Sequence, residues 1–186
     1  VDFAREDVDL AIRHGDGQWP GLHVTRLRAE ELVVVCAPKL LSGRNALRRP
    51  TDLAKRTLLH VDDRGDWTRW LEAAGVKTVD VSRGPILNQA SMAIDAAIEG
   101  QGVVLARSAL ASWDLAGGRL ARPFALALPA PYAYWIVCPK ATANLPKIVT
   151  FREWLLAEAA AEVRQESAAA SGRRNDRWPR TKESGK

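Results

Sequence analysis

The stretch Val8-Asp-Leu-Ala-Ile-Arg-His-Gly-Asp-Gly-Gln-Trp-Pro-Gly21 decides how the chain is read, because an apolar strand runs directly into a rigid polar loop. Val8, Leu10 and Ile12 alternate with Asp9, Ala11 and Arg13, the period of a strand with one buried face. Gly15, Gly17, Pro20 and Gly21 then stop any helix and fix a turn-rich loop. α/β proteins place ligands at the carboxyl ends of strands, which makes the loop His14 to Gly21 a candidate site, with Arg13, His14, Gly15 and Asp16 as candidate contacts. Arg13 suits either of two roles, a bidentate partner for a ligand carboxylate or a loop-fixing salt bridge, for instance to Asp16. Asp16 suits a ligand amine or that same bridge.

Outward from this loop, strands alternate with helices. Strands are expected at Leu32–Cys36, Thr57–His60, Gly84–Leu87, Val103–Ala106 and Tyr134–Cys138, with short helical turns at Pro38–Leu41 and Pro50–Lys55. Asp66 can cap a helix from Trp67 to Ala74, whose Trp67, Trp70, Leu71 and Ala74 fall at helical spacing and whose stop is Gly75. Ser91–Glu99 is the clearest helix, with Ile94, Ala97 and Ile98 on one face and Gly100 at its end. Ser108–Leu115 is another, closed by Gly117-Gly118. Pro146 helps to start the last, with an apolar stripe of Ile148, Phe151, Trp154 and Leu155. This alternation predicts a parallel or mixed sheet covered by helices. Ser91 is first of all a helix cap, yet free amides around Asn88–Ser91 would also attract an anion or a carboxylate, so its hydroxyl can serve both roles.

The 186 residues have ordinary apolar and charged fractions, 47% and 26%, and describe a globular chain with a sizeable core. Apolar runs are strand-sized, far short of a bilayer span, and no secretory signal opens the chain. The net charge of +5 is not spread as a nucleic-acid surface would be: seven Lys or Arg against three acids in 164–186 carry +4 of it. The segment 162–186 is therefore expected to be a basic, disordered tail. Cys36 and Cys138 sit in echoing contexts, Val-Val-Val-Cys-Ala-Pro-Lys and Trp-Ile-Val-Cys-Pro-Lys. Both are expected as core thiols in a reduced compartment, on strands that lie side by side.

Enzyme signatures are missing. There is no Gly-x-Ser-x-Gly elbow and no phosphate loop, and neither Gly15-Asp16-Gly17 nor Gly100-Gln101-Gly102 extends to a dinucleotide fingerprint. The three histidines are His14, His23 and His60. His60-Val61-Asp62-Asp63 fits a carboxylate-rich strand end better than a metal site, since no second histidine or cysteine is near. No enzyme, cofactor or metal is expected.

The ordered series Val-Asp-Leu-Ala-Ile-Arg-His-Gly-Asp-Gly-Gln-Trp-Pro-Gly-Leu, Leu-Val-Val-Val-Cys-Ala-Pro, Asp-Leu-Ala, Leu-Leu-His, Trp-x-x-Trp-Leu, Ala-Ala-Ile-Glu-Gly-Gln-Gly-Val-Val-Leu-Ala-Arg, Gly-Arg-Leu and Phe-Arg-Glu-Trp-Leu resembles the effector-binding domain of LysR-type transcriptional regulators. The likeness is to the branch holding the glycine-cleavage activator and the β-lactamase regulator, and it covers about Val1 to Ala161. It implies a type 2 periplasmic-binding-protein-like α/β fold: two lobes joined by two crossing strands, with a small effector in the cleft. The first lobe would comprise 1–31 with 145–161, and the second 32–144, with 32–36 and 134–138 as the crossing strands. Effector contacts would come from the loop after Ile12, from Ser91 and from Tyr134, which is equally readable as a packed strand aromatic.

The resemblance further implies a cytoplasmic ligand sensor for transcription regulation, a homo-oligomer in its parent protein, whose effector is an amino acid or a cell-wall fragment. DNA would be touched only through a winged helix-turn-helix head that is not in this sequence. Val1 in place of methionine, and an interior-type strand so near it, lead us to expect an N-terminally truncated chain with an incomplete first lobe. A solute-binding protein for transport on the same fold is the alternative, to be separated from the regulator by what lies upstream of Val1.

Overall fold

The apolar run at 32–36 is buried on both of its faces, and the larger of two structural units is built around that fact. The computed structural model describes residues 1–175. In chain order the elements are β1 (Ala11–Gly15), β2 (Leu22–Arg28), β3 (Glu31–Cys36), 3₁₀ segments at Pro38–Leu41 and Pro50–Lys55, β4 (Leu58–Val61), α1 (Gly65–Ala73), β5 (Ile86–Leu87), α2 (Ala90–Ile98), β6 (Val103–Arg107), α3 (Ser108–Ala116), β7 (Ala127–Pro129), β8 (Ala133–Pro139) and α4 (Pro146–Asn175). One unit joins Val1–Arg28 to the described chain from Ala133 onward; the other is Ala29–Tyr132.

The Ala29–Tyr132 unit is a mixed five-stranded sheet in the order β5-β4-β6-β3-β7. β4 runs parallel to β5 and β6, while β3 is antiparallel to β6 and β7. Alternation sorts its side chains onto two faces. Leu32, Val34, Cys36, Val103 and Leu105 meet Leu53, Trp67, Trp70, Leu71 and Phe124 on one side. Val33, Val35, Val104 and Ala106 meet Ala93, Ile94, Ala97 and Ala111 of α2 and α3 on the other. A strand buried on both faces must read as a continuous apolar run, and each fully buried valine contributes roughly 1.5–3 kcal/mol. The tryptophans also satisfy their polar atoms: Trp67 Nε1 donates to the Leu59 carbonyl at 3.0 Å and Trp70 Nε1 to that of Leu126 at 3.3 Å.

The other unit is a three-stranded antiparallel sheet with β8 in the centre, flanked by β1 and β2. Cys138, Ala143, Ile148 and Leu10 form its small apolar cluster. The first turn of α4 is tied down by Lys147 to Asp9 at 2.6 Å, and farther along the helix Glu162 accepts from the nearly buried Arg28 at 3.0 Å.

The structure corrects several expectations. β3 and β8 belong to different sheets, so the two cysteine strands do not pair with each other; each takes partners from its own unit. Residues 133–144 go with the β1 and β2 unit, away from the second lobe where the sequence placed them. The first strand begins at Ala11, three residues later than its pattern predicted, and β2 was missed. Helix α4 continues past Ala161 to Asn175; runs of alanine such as 159–161 and 168–170 are the best helix formers available. The remainder of the 162–186 expectation lies outside the described residues. Phe151 and Trp154 of the apolar stripe stack on each other at 5.5 Å with about half their surface exposed. Among the described residues no helix is long and apolar enough to cross a membrane.

Candidate functional site

In the three-stranded sheet the register sets His14 opposite Tyr134 and Arg13 opposite Trp135. Residues directly opposite share a face, so His14 and Tyr134 meet on one side, their rings 5.0 Å apart and tilted by 50°. Both are half-buried, an apolar body with a polar edge, the arrangement that suits a small polar ligand.

The opposite face holds the loop. Trp135 Nε1 donates to the Gly15 carbonyl at 2.9 Å, the Arg26 guanidinium lies over its ring at 5.7 Å, and Gly17 packs beneath it. A Cβ on Gly17 would fall 2.5 Å from the indole, and its φ of +86° already favours glycine. Trp19, Pro20, Gly21 and Leu22 then turn the chain into β2, with the Leu22 amide on the Trp19 carbonyl at 3.2 Å and Gly21 at φ +84°. Proline then glycine is the pair a type II turn requires.

Arg13 is neither bridged to Asp16 nor left open. Its guanidinium sits 5.9 Å from the Phe3 ring centre and 5.8 Å from that of Trp19, and donates to the Val1 carbonyl at 2.8 Å. Asp16 instead accepts the Gln18 amide at 3.0 Å, an Asx turn that organises the loop. Trp135, Trp19 and Phe3 were missed as supporting residues. The signal available for Trp135 was its position beside Tyr134, and for Trp19 a bulky aromatic among glycines.

Ser91 lies in the Ala29–Tyr132 unit. It is the second residue of α2, exposed, and it is not the cap: that position belongs to Gln89, and no side chain caps the helix. The Ser91 hydroxyl makes no hydrogen bond to any described residue. Asp66 likewise stands inside α1 and pairs with Arg69 at 2.5 Å, while Asp63 takes the Gly65 amide at 2.7 Å.

Both thiols are free and buried, and burial raises their pKa, that of Cys36 to about 11 against a smaller opposing pull from Arg56. They are packed, unreactive groups. His60 is buried, its Nε2 on the Arg83 carbonyl at 2.9 Å and its Nδ1 unpartnered. Burial lowers its pKa. Among the described residues no three His, Cys, Asp or Glu side chains gather as a metal site.

Comparison with known proteins gives one consistent result. The LysR substrate binding domain family matches residues 1–160. The chain is 46% identical over 161 residues to the glycine cleavage system transcriptional activator of Escherichia coli K12, covering 87% of this chain and 53% of that one. Among solved structures, the effector domain of the transcriptional regulator AmpR of Pseudomonas aeruginosa superposes with a TM-score of 0.67 at 32% identity, covering 89% of this chain and 79% of that one. A Citrobacter freundii effector binding domain bearing a threonine-to-valine, a serine-to-alanine and a tyrosine-to-phenylalanine replacement superposes with a TM-score of 0.68 at 26% identity, over 86% and 79% of the two chains. The chain spans about half the length of the curated relatives it matches.

Proposed function

The chain belongs to the LysR substrate binding domain family, and from that premise we propose that it is the effector-sensing part of a DNA-binding transcriptional regulator. The observation that carries the reading is 46% identity, sustained over 161 residues, to a transcriptional activator. The matched relatives are regulators, which favours this over a transport protein on the same fold. No chemistry is required of the site. A small effector must bind two arrangements of the protein with different affinity, and that difference is the signal.

The proposed effector contacts are the β1 end and loop, Arg13, His14, Gly15 and Asp16, with Tyr134 beside His14, and Ser91 on α2. Support for the two hydroxyls comes from spacing. The replaced serine and tyrosine of the Citrobacter freundii domain stand 43 residues apart, as do Ser91 and Tyr134, and each replacement there removes a hydroxyl. Tyr134 and His14 stand ring to ring at 5.0 Å on one face of the sheet. The Gly15 carbonyl is already taken by Trp135, so Gly15 would contribute its backbone path. Arg13 keeps guanidinium N–H groups beyond the one on Val1, and Asp16 keeps a second carboxylate oxygen.

The parent protein would be a cytoplasmic homo-oligomer that touches DNA outside the matched domain. Its effector would be an amino acid or a cell-wall fragment, in keeping with relatives named for glycine cleavage. The test is an amide-shift NMR screen of this chain with glycine, other amino acids and muropeptides, since binding by this chain is expected to be weak. A true effector moves the amides of 13–16 and 134, and its affinity falls about tenfold in Tyr134→Phe and Ser91→Ala while the melting temperature holds. Binding unaffected by either hydroxyl deletion would overturn the assignment.

A further inference from the structure

The Ala29–Tyr132 unit contains a cavity of about 390 Å³ that the effector contacts do not explain. Its walls are the end of the 3₁₀ segment Pro50–Lys55, the start of β4, and the 79–84 part of the connection between α1 and β5. That volume is the size of a small-molecule site.

The lining is unbalanced in charge. Lys55, Arg56 and Arg83 face one carboxylate, Asp80. Among the described residues none of the three cations has a carboxylate within ion-pair distance. Asp80 Oδ1 accepts the Ser82 hydroxyl at 2.7 Å and the Ser82 amide at 2.9 Å, and these bonds, with a smaller pull from the charges of Arg83 and Arg64, hold its pKa below the usual carboxylate value, so that one carboxylate is shared among several cations. Arg56 is steadied by donating through Nη2 to the Asn45 carbonyl, and its buried Nε has no partner. Like charges gathered around one concavity repel, and a bound anion relieves that repulsion.

The wall bearing Arg83 is pinned before any ligand arrives. The Arg64 guanidinium donates to the carbonyls of Val81 and Gly84 at 3.2–3.3 Å, and His60 Nε2 holds that of Arg83 at 2.9 Å. Gly84, at φ +98°, approaches β4 so closely that a Cβ would lie 2.0 Å from the Leu58 carbonyl oxygen. These bonds fix the main chain that carries Arg83, so binding need not order that segment.

We infer that this cavity binds a small multivalent oxyanion, a phosphate-bearing molecule or a polycarboxylate, at a site separate from the proposed effector contacts. A concave site of this volume admits such a molecule. The experiment titrates the ¹⁵N-labelled 186-residue chain with pyrophosphate and, separately, citrate, with sodium chloride holding ionic strength constant. Saturable shifts confined to the amides of 53–58 and 79–84 are expected, weakened about tenfold in Lys55→Ala/Arg83→Ala at an unchanged melting temperature. Whichever anion saturates identifies the phosphate or the carboxylate source. If the double variant does not fold, Arg83→Gln, which leaves the His60 contact to its backbone carbonyl in place, carries the same expectation. The inference is overturned by shifts that chloride reproduces, by shifts that scatter or never saturate, by binding indifferent to these replacements, or by a response to duplex DNA alone.

Discussion

Gly17 and Gly21 share nearly the same left-handed backbone but differ in surroundings, and that difference makes a test of the loop. A Cβ at Gly17 meets the Trp135 indole at 2.5 Å, whereas one at Gly21 meets nothing within 4 Å. Gly21→Ala should therefore cost only the conformational term, ~1–2 kcal/mol, while Gly17→Ala adds an overpacking term of ~1–3 kcal/mol. Urea midpoints of the two variants check this, and equal losses would remove Trp135 as the loop's anchor. His60 sets a pH dependence at the same scale. Burial lowers its folded-state pKa below the 6.5 of a free imidazole, so the unfolded chain binds the proton more readily. Its contribution to stability is complete above pH 6.5 and is lost as the pH falls through the lowered folded-state value. His60→Gln keeps a donor for the Arg83 carbonyl and should flatten the fall in urea midpoint between pH 7.5 and 5.5; an unchanged slope would assign that fall to other groups.

At the scale of elements, the strands whose patterns are local were legible. β3, β6 and β8 announce themselves because burial on two faces forces uninterrupted apolar runs. β2 did not: Leu22-His23-Val24-Thr25-Arg26-Leu27-Arg28 alternates weakly and is mostly half-buried, so its membership in the sheet comes from pairing with β8 rather than from its own composition. Caps were misread for a related reason. Ser91 and Asp66 are cap-type residues near helix starts, but the chain enters α2 through Gln89 and α1 through Arg64, α2 beginning one residue and α1 two residues earlier than expected. The consequence is measurable. Ser91→Ala should leave stability within about 0.5 kcal/mol, whereas Asp63→Ala, which strips the partner from the Gly65 amide, should cost ~1 kcal/mol. Thermal melts of the two variants decide it, and a costly Ser91→Ala would restore the capping role.

For the whole molecule, topology was the part least visible from sequence, although the ordered motifs were enough to place the chain in its family. The two cysteine strands look alike because each is flanked by a strand on both sides, yet pairing partners are chosen over distances that local pattern does not record. β8 is the hub of the smaller unit, and its partners β1 and β2 precede it by about 100 residues, so that unit closes only after the other has been traversed. Ala29–Tyr132, in contrast, is continuous and holds both faces of its own apolar core. At about 100 residues it is of a size that folds alone. A polypeptide of residues 29–132 is therefore expected to unfold in one cooperative transition, read from the fluorescence of Trp67 and Trp70. Residues 1–132 should add β1 and β2 without the strand they both pair with, leaving the amides of 11–15 and 22–28 exchanging at unprotected rates beside a protected 29–132. Protection of those amides without β8 would mean that the smaller sheet has a second source of order, and the strand register through which Tyr134 meets His14 would lose its place as the organiser of the proposed effector contacts.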